Sequence, residues 1–339
     1  YQFTPCKQVY PTNWRTNMKK ILEVKNLKVH FDLGGGFFKA HQIVHAVDDI
    51  SFEVYEGETL GIVGESGCGK SSLARALCGL NKITAGEVIF NGNINLAKAS
   101  ARQWNEAHKQ MQFIFQDPVA ALNPRMTVAE IIEEPLRTLY PEMNKAQRLE
   151  KVLTTMNLVG LSQNQINRYP QEFSGGQCQR IGIARALILE PKILICDESV
   201  SALDVSIKAQ IINLLQDLQK QLKLTILFIS HDLSIVKHIC KRIMVMYLGN
   251  IMELGEKQDI YNAPRHPYTQ ALLSAVPIAR PQSQPRTVQL LEGELPSPIN
   301  PPKGCVFNTR CPQVMEQCHN ARPQSNIKCK HVSTCFLDQ

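Results

Sequence analysis

The sequence predicts an α/β fold built on a parallel sheet, and three observations carry that prediction. The run TLGIVG has the texture of a strand and opens into a glycine loop, GESGCGKS, from Gly64 to Ser71. The loop leads into KSSLARALCGL, where Leu73, Ala76, Leu77 and Leu80 recur at helical spacing. The runs KILICD (192–197) and TILFISHD (225–232) are continuously apolar and end in polar residues. Strands covered on both faces look like this when reactive groups stand at their carboxyl ends.

The elements follow in order. MKKILEVKNLKVHF, from Met18, looks like a natural start running into a first strand, so residues 1–17 are expected to be an extension without chemistry. ILEVKNLKVHF, QIVHAVDDISFEV and ETLGIVG read as short strands, with DLGGGF as a loop between the first two. Residues of about 117–180 read as a mostly helical insertion, and VSIKAQIINLLQDLQKQLKL as an amphipathic helix. After residue 276 the texture changes, because nine of the nineteen prolines lie there. Such a segment has little apolar mass to bury, so it is expected to be disordered or held by something other than a hydrophobic core. The expected division is 18–265 for the main domain and 266–339 for an appendage.

Composition narrows the function. The chain is 44% hydrophobic and 20% charged, ordinary for a soluble protein, and its longest apolar stretches are strand-sized. None approaches the roughly 18–20 residues that span a bilayer, and no basic-then-apolar signal opens the chain. A cytosolic chain that docks on a membrane protein is the expectation. The net charge of +7 is spread along the sequence, without the basic and aromatic interleaving of a nucleic-acid groove, so no nucleic-acid partner is expected. Five of the eleven cysteines (Cys305, Cys311, Cys318, Cys329 and Cys335) fall in the last 35 residues. In a cytosolic chain that clustering points to metal rather than disulfides.

GESGCGKS matches G-x-x-x-x-G-K-[ST] and sits between a strand and a helix, as the chemistry requires. Gly64, Gly67 and Gly69 let backbone N–H groups surround phosphate oxygens. Lys70 would reach the β- and γ-phosphates, Ser71 would ligate Mg²⁺, and the helix N-terminus adds partial positive charge. ILICDE delivers Asp197 to the Mg²⁺ shell and Glu198 to a place where it can polarise an attacking water. One stretch is odd: EFSGGQCQR puts Gly175 and Gly176 in the first turn of a helix, where each glycine costs about 1 kcal/mol relative to alanine.

Six stretches in one order, GESGCGKS, QFIFQDP, FSGGQ, ILICDE, SALD and ISHD, resemble the ATP-binding cassette ATPases of membrane transporters, from about Ile21 to Arg265. The resemblance implies a P-loop NTPase core with a parallel sheet, an antiparallel β subdomain and a helical subdomain. It implies that two such subunits close head to tail over two ATP molecules, with FSGGQ of one facing the phosphates of the other. Ser174 would then cap its helix and bond phosphate, and Gln177 would complete a capping box. Gly175 and Gly176, lacking side chains, would let the helix N–H groups reach a γ-phosphate.

By the same resemblance Gln116 contacts Mg²⁺ and the attacking water, His231 bonds the γ-phosphate, and Asp204 crosses the interface. Glu65, Ser66, Cys68 and Ser72 join the nucleotide loop, and Lys70 serves catalysis as well as binding. Phe31 stands where an aromatic stacks on adenine, although the insertion after it leaves Phe38 or a neighbour as a rival. Phe173 replaces the usual leucine, Ser199 the proline after the catalytic glutamate, and Cys178 a common arginine.

RHPYTQALLSAVP and LEGELPSPINPPKGCVFNTRCP resemble the C-terminal extension of the oligopeptide, dipeptide and nickel importer branch, most like its dipeptide-type second ATPase subunit. That implies a related but distinct ATPase partner, two transmembrane permease subunits, an external substrate-binding protein and a place on the cytoplasmic face of the bacterial inner membrane. Cys305, Cys311, Cys318 and Cys335 are spaced similarly to ligands of a 4Fe–4S cluster in some members, with Cys329 a rival fourth ligand. Tetrahedral zinc and free thiols remain alternatives. A cassette acting on DNA or ribosomes fits poorly, since about a hundred residues without sustained heptads separate the glycine loop from FSGGQ. A non-hydrolysing cassette fits poorly too, because Lys70, Asp197, Glu198 and His231 are all present.

Overall fold

The computed structural model describes residues 19–34, 42–276, 291–328 and 331–338. Residues 1–17, Phe38 and Cys329 lie outside the described residues. The chain opens with two antiparallel strands of thirteen residues each, β1 (Lys20–Asp32) and β2 (Ile43–Tyr55), longer than the short strands expected. Next come β3 (Thr59–Val63), α1 (Lys70–Leu77), β4 (Ala85–Phe90), β5 (Ile94–Asn95), α2 (Ala101–Gln110) and β6 (Met111–Ile114). Three helices follow, α3 (Val128–Leu139), α4 (Lys145–Leu158) and α5 (Gly175–Leu187). The chain then alternates through β7 (Ile193–Asp197), α6 (Val205–Leu222), β8 (Thr225–Ile229), α7 (Leu233–Ile239) and β9 (Arg242–Tyr247). It ends with β10 (Asn250–Glu256), α8 (Lys257–Asn262), α9 (Pro267–Ser274), α10 (Glu316–Asn320), β11 (Asn326–Lys328) and β12 (His331–Ser333).

Two sheets result. One is antiparallel, in the order β2-β1-β4-β5, and the other is mixed, in the order β11-β12-β10-β9-β3-β8-β7-β6. From β9 to β6 the large sheet is parallel, and β10, β12 and β11 extend it antiparallel. Its central strands alternate faces. Leu194, Cys196, Ile226 and Phe228 pack with the helices, whereas Ile193, Ile195, Leu227 and Ile229 pack with α1 and the antiparallel sheet. Both faces are dry, which is why these runs contain no polar residue until the strand ends.

Two further expectations change. Leu80 lies beyond the end of α1 and is 55% exposed, because the helix stops at Leu77 while Leu73, Ala76 and Leu77 are buried. The proline-rich tail, by contrast, does join a hydrophobic core. Val306 and Phe307 are buried among Tyr247 and Tyr268, and Phe307 meets both rings edge-on or tilted at 5.2 and 5.3 Å. A single aromatic anchors a segment too short of apolar residues to fold by itself.

Candidate functional site

The glycine loop leaves β3 and turns into α1 through three left-handed glycines, Gly64, Gly67 and Gly69. Two of them admit no side chain. A Cβ on Gly64 would sit 2.2 Å from the Met246 carbonyl oxygen, and one on Gly69 would sit 2.0 Å from that of Ala46. Lys70 folds back into the loop, 4% exposed, and its Nζ donates to the carbonyl oxygens of Gly64 and Glu65, each at 2.8 Å. Nζ also lies 3.6 Å from Cys68 Sγ.

Beside the loop, Ser71 Oγ donates to Asp197 Oδ1 at 2.7 Å, while buried Asp197 Oδ2 has no hydrogen-bond partner among the described residues. Burial pushes the Asp197 carboxyl up despite the Ser71 bond. A divalent cation held by Ser71 and Asp197 would supply the missing partner and offset that burial penalty. Glu198 follows at φ +45°, a left-handed conformation rare outside glycine, with its N–H held on the Ile229 carbonyl at 3.1 Å. Its carboxylate accepts from Gln116 Nε2 at 3.2 Å and faces His231 Nδ1 at 3.4 Å. Residues from β7, from the end of β6 and from the end of β8 thus meet at the carboxyl edge of the sheet. Phe31, Ser66, Gly67, Gly69, Lys70, Ser71, Ser72, Gln116 and Glu198 line one cleft of about 290 Å³, with Val44, Ala46 and Pro298.

Ser174, Gly175, Gly176, Gln177 and Asp204 lie outside that cleft. Ser174 and Gln177 form the expected capping box, with Gln177 Oε1 accepting from the Ser174 N–H at 3.0 Å. Ser174 and Asp204 are exposed. Gly176 is buried, and a Cβ there would stand 2.5 Å from Ile207 Cγ2 on α6. Its smallness therefore has a packing cause as well, whereas Gly175 meets only Leu203 at 3.6 Å. Ile207 is β-branched and stiff on its helix, so it cannot simply step aside. Gly176→Ala is expected to cost about 1 kcal/mol, the overpacking penalty less the helix-propensity gain. In an Ile207→Ala background, which carries its own truncation cost, adding Gly176→Ala should no longer lower the denaturation midpoint.

The comparatively hidden contributors come from the extension. Pro298 lines the cleft, Tyr268 and Arg310 touch Glu65, and His266 caps α9 by accepting from the Tyr268 N–H at 3.0 Å. No pattern in the proline-rich text marks Pro298 or Arg310. The motif RHPYT names His266 and Tyr268, yet gives no hint of their contacts. Burial pulls the His266 imidazole down from 6.5 to about 4. Between those values the unfolded chain binds a proton that the folded chain refuses, so stability falls as pH drops through 6.5 and keeps falling to about 4. A loss of about 2 kcal/mol between pH 7.5 and 5 is expected from this one group. His266→Asn, which keeps an acceptor for the cap, should flatten that part of the profile in thermal unfolding.

Two further donor sets exist. Cys305, Cys318 and Cys335 are buried and Cys311 is half-buried; the Cys305 N–H donates to the Cys318 carbonyl at 2.8 Å. Burial, with the neighbouring Cys318, Cys335 and Cys311, pushes the Cys305 thiol up to about 11. The four cysteines are therefore neighbours, not scattered. Among the described residues, however, the one group of donors lying within 4.8 Å of one another is His30, His45 and Asp48. Asp48 is already flanked by Arg322 Nη1 at 2.9 Å and Lys28 Nζ at 3.6 Å. A divalent ion there would be a third cation on one carboxylate, so the cluster reads as an ion pair tying the antiparallel sheet to the extension.

Comparison with known proteins gives the same picture. Residues 47–201 match the family described as ABC transporter, and residues 252–318 match the oligopeptide/dipeptide transporter C-terminal region. The chain is 56% identical to the oligopeptide transport ATP-binding protein OppF of Salmonella typhimurium over 94% of its own length and 96% of that protein. It is 57% identical to the protein of that name in Haemophilus influenzae, over 91% and 93%. Among solved structures, a dimeric ATP-binding cassette in a post-hydrolysis state with ADP and Pi superposes with a TM-score of 0.62 at 28% identity, covering 70% of this chain and 98% of the other.

Proposed function

Since the chain belongs to the ABC transporter ATPases, in the oligopeptide/dipeptide branch, we propose a division of labour among its residues for ATP hydrolysis coupled to peptide import. The chain is the ATPase subunit of an oligopeptide importer. The relatives are named for oligopeptide transport, which favours peptides over nickel as cargo. The observation that carries the residue assignment is the convergence of Gln116 and His231 on the carboxylate of Glu198, beside Lys70 and Ser71.

In this reading the glycine-loop N–H groups and Lys70 bind the phosphates, while Ser71 and Asp197 hold Mg²⁺. Phe31 stacks on adenine from the wall of the cleft. Glu198 accepts a proton from the attacking water as Gln116 and His231 orient it. Ser174 and the N–H groups behind Gly175 complete the site of a second ATPase subunit, which explains why Ser174 and Asp204 stay exposed in the single chain. ATP closes the pair, and hydrolysis reopens it.

No helix among the described residues is long and apolar enough to cross a membrane. In this reading the chain attaches to the cytoplasmic face of the inner membrane through the permease subunits, as its family membership supports. A groove beside Gln116, lined by Phe115, Pro135 and Arg185, is the surface we assign to them, and Phe115 is 38% exposed there. A distinct ATPase partner and an external binding protein complete the complex. Deleting this chain from its host should abolish uptake of labelled oligopeptides, and restoring it should return uptake; unchanged uptake would refute the assignment.

For the cysteines we favour a 4Fe–4S cluster on Cys305, Cys311, Cys318 and Cys335. The four thiols stand near one another, and their spacing along the chain resembles that of cluster ligands in some members of the family. A bound cluster would supply the folding energy that the proline-rich tail lacks. Anaerobic reconstitution followed by iron and sulfide analysis should give four of each per chain, about the content of one cubane. Zinc as the bound metal would overturn this assignment.

A further inference from the structure

Glu65, the second residue of the phosphate loop, is held from two sides by groups far away in sequence. Its backbone N–H donates to the Tyr268 hydroxyl at 2.9 Å, and its carboxylate takes the Arg310 guanidinium at 2.8 Å. Both partners are rigid. Tyr268 is fully buried against Tyr247 at 4.8 Å, and Arg310, with a side chain 8% exposed, lies over the same Tyr247 ring at 5.9 Å. Leu295 of the extension approaches the loop as well, 3.7 Å from where a Cβ on Gly67 would stand.

The charge of Glu65 is what makes this arrangement informative. A loop built from N–H groups and a lysine exists to hold an anion, and a free carboxylate at its second position would repel the phosphates. Arg310 neutralises that carboxylate and turns it toward the extension. Phosphate binding itself requires neither Arg310 nor Tyr268, since Lys70 and the loop backbone supply its donors.

We propose that Arg310 and Tyr268 are positioning residues for ATP, a clamp by which the C-terminal extension keeps Glu65 turned away from the phosphates. Arg310 directly precedes Cys311, so the fold of the cysteine loop sets the clamp. The clamp needs no particular metal on those cysteines, and its test is separate from the iron and sulfide analysis. It also leaves the assignment of Glu198 untouched, because it acts on nucleotide affinity.

The test is steady-state ATPase kinetics of the chain assembled with its ATPase partner and permeases. Arg310→Ala should raise the KM for ATP about tenfold with kcat within about twofold, because a charge is unmasked beside the phosphates while the reacting groups are unchanged. Arg310→Lys should keep KM within about threefold, and Tyr268→Phe should raise it by about threefold. The decisive comparison is made in a Glu65→Gln background, where no charge is left to unmask: adding Arg310→Ala should change KM by less than about threefold relative to Glu65→Gln alone. An unchanged KM in Arg310→Ala, or a tenfold rise on adding it to Glu65→Gln, overturns the proposal. If Arg310→Ala does not assemble, Arg310→Gln is compared in the same two backgrounds, and the same outcomes decide.

Discussion

Glu198→Gln is expected to lower ATPase turnover by about 10²–10⁴-fold while ATP still binds. The substitution keeps the shape of the side chain and its contact with Gln116 but removes the lone pair that takes the proton. Lys70, Ser71 and Asp197 remain in place, so nucleotide affinity should stay within about threefold. With hydrolysis blocked, the closed pair of subunits cannot reopen, and an ATP-dependent dimer should persist on gel filtration. Parental turnover in this variant would remove Glu198 from the role of base.

Much of the candidate site's geometry was legible because its parts lie at strand ends whose burial writes itself into the sequence. Ile193 to Cys196 and Thr225 to Ile229 are covered on both faces, so they admit only apolar or small side chains, and the first polar residues after them mark the reactive edge. Gly64 and Gly69 were legible for another reason. Their neighbours are the carbonyls of Met246 and Ala46, which leave room for hydrogen and nothing more.

What stayed hidden depends on contacts between distant segments. Pro298, Tyr268 and Arg310 reach the glycine loop only because the extension adds β12 to the edge of β10, packs Phe307 into the core, and so folds back over the candidate site. A proline-rich segment has no hydrophobic period from which such docking could be read. Gly176 was legible in part. Its position at a helix start suggested open access for phosphate, but its contact with Ile207 is a tertiary fact that no spacing within EFSGGQCQR contains.

Arg242 was not legible at all, and it carries the largest expected effect on stability. In the run CKRIMVMYL nothing distinguishes Arg242 from the lysine beside it. In the fold Arg242 is 5% exposed, and its Nη1 meets Glu58, itself 2% exposed, at 2.9 and 3.2 Å. The same nitrogen reaches the Glu53 carbonyl at 3.1 Å, and Glu58 also accepts from the Tyr55 N–H at 2.8 Å. One ion pair therefore joins the turn after β2 to the first residue of β9, across the start of β3. Arg242→Ala would strand a buried carboxylate, and a loss of about 3–5 kcal/mol in urea unfolding is expected. Replacing both partners, Glu58→Leu with Arg242→Met, should recover most of that loss, because the stranded charge rather than the missing attraction dominates the cost. A loss below about 1 kcal/mol in the single variant would show that water reaches the pair. The pair lies at the amino ends of β3 and β9, whereas the proposed nucleotide site lies at the opposite edge. Arg242→Ala that remains folded should thus bind ATP with parental affinity, and Glu198→Gln should unfold at the parental urea concentration.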